Sequence, residues 1–181
     1  MQQMLADEWT APLRELWHRI EGHDFEAAGP FDFARRLARD KRWSLPFTRS
    51  AILEYRRFCF LAITGDSPAT PSEEVDEVWH QHLTYSRDYW NVWCNEVLAN
   101  PLHHDPATGT PGEQGRFREQ YARTLARYES FFGPPPEIYW PAAHRRFGRL
   151  PRYRTFDAAL HFALPRPVAV WRRLSRRGTS A

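Results

Sequence analysis

The chain is short of several things, and each shortage removes a class of function. Only two of its 181 residues are cysteine, Cys59 and Cys94, and they form no CxxC pair. No disulfide framework or cysteine-built zinc site is therefore encoded, and the two thiols read as small buried hydrophobes in a reducing compartment. The nine glycines are scattered, with no phosphate-cradling loop and no dinucleotide fingerprint, so nucleotide cofactors are not expected. The H-E-x-x-H order of zinc proteases and the GxSxG nucleophile elbow are also missing. No apolar run approaches the roughly 20 residues of a membrane span, and the opening MQQMLADEW carries acids where a secretory signal carries an apolar core. A cytoplasmic location is the expectation.

Lysine is the scarcest charged residue: Lys41 is the single lysine among 25 basic side chains. The formal net charge of +3 hides a split. Residues 1–143 carry 15 basic and 21 acidic side chains, a net of −6, whereas residues 144–181 carry 10 arginines and one acid, Asp157, a net of +9. Two parts are expected, a helical domain over 1–143 and an Arg-rich C-terminal extension over 144–181. Such a tail sets up a positive field able to attract nucleic acid, an anionic membrane surface or an acidic protein partner. Neutralising the acidic body in cis is the plainer reading.

What is present suffices for one core, since 42% of the residues are hydrophobic and 15% aromatic. Apolar residues recur with the helical period in five to six segments, and no alternating run calls for a sheet. The expected fold is mostly α, a single compact domain. Leu5 to Glu21 predicts a first helix, and Asp32 is a candidate N-cap of a second. Thr48 is a candidate cap of a third helix, stopped at Gly65. Thr70-Pro71-Ser72-Glu73 reads as a capping box opening a fourth, running to about Ala99 before Asn100-Pro101. Glu113 to Phe132 predicts a fifth, ended by Gly133 and the prolines 134–136, which lead into an extended Pro-rich strap anchored by Tyr139 and Trp140. Thr155 is a candidate cap of a short helix through Phe162.

Four of the eight histidines sit where chemistry is plausible: His80 and His82 on the fourth helix, and His103 and His104 in the loop after it. At about 100° per residue, His80 and His82 point about 200° apart, so one metal cannot take both from a regular helix. Asp76 and His80, one turn apart, do share a face. With one or both of His103 and His104 folded back, they make a carboxylate–imidazole set suited to one divalent ion, zinc or iron. Asp76, His80, His103 and His104 are thus the candidate ligands, with Trp79 as a pocket wall. His82 lies on the apolar stripe. The competing reading makes Asp76–His80 an i,i+4 hydrogen-bonded pair, His82 a satisfied core histidine and the loop histidines caps for carbonyls.

These residues carry a resemblance. Val75-Asp76-Glu77-Val78-Trp79-His80-Gln81-His82, then Thr84-Tyr85, Tyr89-Trp90 and Leu102-His103-His104-Asp105-Pro106, resemble the bacterial branch of the glycine-rich domain-containing protein-like family. Tyr55-Arg56-Arg57-Phe58 before them and Phe132-Gly133-Pro134-Pro135 with Trp140-Pro141 after them fit the same pattern, over residues 32–141. The glycine-rich tract behind the family's name is lacking. The resemblance marks Asp76, Trp79, His80, His82, His103 and His104 as signature positions and implies no particular reaction. A binding or interaction module, with a protein partner, is the leading expectation. A metal-dependent hydrolase is the second, with Asp76 or Glu73 as general base, and structural histidines with a working basic tail are the third.

Overall fold

Helix α3, Leu45–Thr64, buries most of its circumference and leaves one stripe, Pro46, Arg49, Ser50 and Leu53, exposed. Ala51, Ile52, Tyr55, Phe58, Cys59, Phe60 and Leu61 are all buried, and each large side chain among them contributes about 1.5–3 kcal/mol by leaving water. Helices α1 (Ala11–Gly22), α2 (Phe33–Lys41), α4 (Glu73–Leu83) and α5 (Glu113–Phe132) pack around it. A 3₁₀ turn at Phe25–Ala28, a π-helical segment at Asp88–Val97 and a short α6 at Ala143–Phe147 complete the order. The computed structural model describes residues 9–28, 32–105, 107, 110 and 112–148, and among these there is no strand. All of them belong to one compact unit, Met1–Leu150. The expected helix after Thr155 and most of the Arg-rich extension lie outside the described residues.

Several boundaries follow the expected capping chemistry. Asp32 caps α2, its carboxylate accepting from the Arg35 N–H at 2.8 Å. Helix α5 begins at Glu113 and ends at Phe132, where Gly133 takes φ +78 and bonds its N–H to the Glu129 carbonyl.

Three expectations need correction. Helix α3 starts at Leu45 with Ser44 as its cap, so Thr48 lies inside it, its hydroxyl bonded back to the Ser44 carbonyl at 3.0 Å. Helix α4 is capped by Ser72, whose hydroxyl accepts from the Val75 N–H at 3.2 Å. Thr70 is instead tied to α5, through Thr124 at 3.1 Å and Gln120 at 3.2 Å. Nor does one helix run from there to Ala99. Helix α4 stops at Leu83, because Thr84 and Tyr85 close three-residue bonds to the carbonyls of Gln81 and His82 and the Thr84 hydroxyl takes the Gln81 carbonyl at 2.7 Å. The chain then resumes as a π-helix, closed by the Leu98 N–H on the Trp93 carbonyl. Its buried pairs Asp88/Tyr89, Trp93/Cys94 and Val97/Leu98 recur at the wider π spacing, leaving Ser86 and Trp90 exposed.

Aromatic rings join the helices. Trp17 meets Phe60 at 5.9 Å and Phe132 at 5.1 Å, tying α1 to α3 and α5, and Trp9, just before α1, stacks on Phe60 at 5.1 Å. Between α3 and α5 the buried Glu54 carboxylate accepts from Tyr128 at 2.7 Å, Trp140 at 2.9 Å and Arg57 at 2.9 Å. Bonding both oxygens, one of them twice, is what allows this carboxylate to lie in a core. In the segment after Gly133, Tyr139 bonds the Phe47 carbonyl at 3.2 Å and Trp140 is buried, while Ile138 stands exposed.

Candidate functional site

Helix α4 carries histidines on two faces, and each face builds its own cluster. On the outer face Asp76 and His80 stand one turn apart, with the His80 Nδ1 at 3.8 Å from Asp76 Oδ2. The loop after the π-helix returns to them. The Leu102 side chain is buried and its carbonyl accepts from the Tyr89 hydroxyl, which fixes the loop on the helix and lets the next residues reach α4. His104 then places Nε2 at 2.9 Å from Asp76 Oδ1. Its ring lies 4.4 Å from that of Trp79 and 4.5 Å from that of His80. One donor atom each from Asp76, His80 and His104 lies within 4.8 Å of the others, at a half-exposed spot able to hold a metal ion.

The other signature residues go elsewhere. His103 is exposed, and its ring stands 5.4 Å from that of Trp90. In the extended loop neighbouring side chains diverge, so the two imidazoles of the His103-His104 pair do not meet at Asp76. The Trp79 ring lies beside that of His104, and its indole N–H donates to the Tyr89 hydroxyl at 2.8 Å. His82 faces inward and is fully buried.

Around His82 is a second cluster that residue spacing does not reveal. Its Nε2 lies 2.7 Å from Asp88 Oδ2, and its Nδ1 lies 3.0 Å from the Tyr55 hydroxyl. The same Asp88 oxygen is 3.2 Å from Nε2 of His23, the residue that ends α1. His23 is held there by Arg56, whose guanidinium bonds the carbonyls of Ile20, Glu21 and His23 and so satisfies the open end of α1. His23, His82 and Asp88 again place three donor atoms within 4.8 Å.

The electrostatics of the two clusters differ. At the outer one, the hydrogen bond that His104 donates to Asp76 raises the His104 pKa against the opposing effect of partial burial, and the Asp76 charge adds to the rise. At the inner one, burial lowers the His82 pKa against its bond to Asp88. Burial pushes the Asp88 carboxyl up, but the bonds and charges of His23 and His82 outweigh it and hold the group below the usual carboxylate range.

Comparison with protein-family models, with curated proteins and with solved structures finds no match to this chain.

Proposed function

We propose that this helical unit is a binding module whose working part is a divalent-metal site made by Asp76, His80 and His104. The observation that carries the reading is the convergence of one carboxylate and two imidazoles, from α4 and from a loop more than 20 positions away, on one half-exposed point. Mixed nitrogen and oxygen donors suit zinc or iron, with metal–ligand bonds of about 2.0–2.2 Å. Three protein donors at the surface leave at least one position for water or for a ligand from a protein partner. Asp105, next to His104 in the chain, adds negative charge beside the site.

Binding is favoured over hydrolysis by the roles already taken. Asp76 serves as a ligand, and the Glu73 carboxylate faces Arg146 at 3.7 Å, so neither is placed as a general base. The unit is read as belonging to the glycine-rich domain-containing protein-like family, on the strength of the Asp76-to-His82 and His103-His104 motifs. The Pro-rich segment after Gly133 acts as a strap over the core, and the Arg-rich extension balances the acidic body, in the cytoplasm.

The test is a zinc titration of tag-free protein stripped with chelator. Saturable binding that weakens at least about 10-fold in His80→Ala and in His104→Ala is expected, since each removes a direct ligand. Unchanged affinity in both variants contradicts the reading.

A further inference from the structure

We infer that His23, His82 and Asp88 form a second site for a divalent first-row transition metal, buried where the first is half-exposed. The argument begins with which atoms face each other. Both imidazoles turn the same nitrogen, Nε2, toward the same carboxylate oxygen, at 3.2 and 2.7 Å. Donors bound to one tetrahedral ion at about 2.0–2.2 Å stand about 3.3–3.6 Å apart, and three donor atoms already within 4.8 Å of one another need only small shifts to admit the ion. The three residues come from separate places, the end of α1, the last turn of α4 and the start of the π-helix.

The surroundings fit a metal centre as well. A ligating histidine ordinarily has its other ring nitrogen bonded, which fixes the tautomer and the ring orientation. Tyr55, wholly buried on α3, does this at Nδ1 of His82. Arg56, one residue on, fixes the backbone of His23. Phe25 lies 4.8 Å from the His23 ring and 5.0 Å from the His82 ring, and Trp93 lies 5.0 Å from His23, so the walls are aromatic. Side-chain exposure is 6% for His23, 8% for Asp88 and 0% for His82, which puts the entry on the His23–Asp88 side. Two imidazoles and one carboxylate select zinc, iron(II) or cobalt(II) over magnesium or calcium, which prefer oxygen. In the metal-free protein the same atoms are joined by Nε2–H hydrogen bonds to Asp88; to take the ion at Nε2 each neutral imidazole shifts its proton to Nδ1, where that of His82 donates to the Tyr55 hydroxyl, and no proton is released.

Cobalt(II) is the probe, added to full-length, tag-free, chelator-stripped protein, with stoichiometry read by equilibrium dialysis and site geometry by visible absorption. The wild type is expected to bind two equivalents. The double variant Asp76→Asn/His104→Gln, which empties the outer site, is expected to keep one equivalent with its absorption band. His23→Gln in that background is expected to abolish it. Tyr55→Phe in that background keeps the packing and is expected to weaken binding about 10–100-fold at unchanged stoichiometry. Should the His23 variant fail to fold, the double variant and its Tyr55→Phe derivative decide. The inference is overturned if the double variant takes up no cobalt, or if neither His23→Gln nor Tyr55→Phe alters what it takes up. Failure of the outer site reads differently: the wild type and the double variant would then bind the same amount.

Discussion

At the scale of single residues, the two clusters make different demands. His104 in the metal-free protein has a raised pKa, so its pairing with Asp76 stabilises the fold fully below the unfolded-state value of about 6.5. That contribution is lost as the pH rises through the raised folded value. With chelator present, the urea midpoint should therefore carry a component that falls as the pH rises above about 6.5 and disappears in Asp76→Asn. An identical pH slope in wild type and variant would contradict the assignment. Glu54 makes a separate claim on stability. Tyr128→Phe removes a donor from a buried carboxylate and should cost about 1.5–3 kcal/mol in urea denaturation. A loss within error of zero would mean that Trp140 and Arg57 alone satisfy the charge.

At the scale of elements, the start of α4 positions the outer site. Ser72 holds the first turn on which Asp76 stands, so Ser72→Ala should destabilise the protein by about 1 kcal/mol and lower its thermal midpoint. It should leave the bound zinc at the same stoichiometry, because no ligand is removed. The helices, and the Asp76–His80 face, were legible in the sequence because the helical period and an i,i+4 spacing are local properties. Helix α5 could be bounded to the residue, since Gly133 and three prolines leave the chain no way to continue. The break after Leu83 was not legible, as Thr84 and Tyr85 are ordinary helix residues whose stop signal is a set of short backbone bonds. That break also hid the inner cluster. In an unbroken helix His82 and Asp88 would stand about 120° apart, and only the bend and the π-helix turn them together. His23 lies between elements and 59 positions from His82, so no spacing rule connects them. The divergence of His103 from His104 follows from how Leu102 anchors its loop, a tertiary fact.

At the scale of the whole molecule, both clusters and the core formed by the described residues lie within residues 9–148. Helix α6 belongs with them, since Phe147 packs on Tyr121 at 5.8 Å and Arg146 covers the same ring at 5.5 Å. A chain ending at Gly148 should keep the helical circular dichroism and the metal stoichiometry of the full protein, while losing eight of the ten arginines of the Arg-rich extension, and Asp157 with them. If the tail serves anionic partners, binding to phosphatidylserine vesicles should vanish with it; retained binding would move that function to the body. The opposed charges of body and tail matter less to the central claim than the point where α4 meets the loop at His104. The most direct measurement there is calorimetric zinc titration of the stripped, tag-free protein beside Asp76→Asn and His104→Ala. The account predicts saturable binding in the wild type that loses one equivalent in each variant. No saturable binding in the wild type, or the same stoichiometry and affinity in all three proteins, would contradict it.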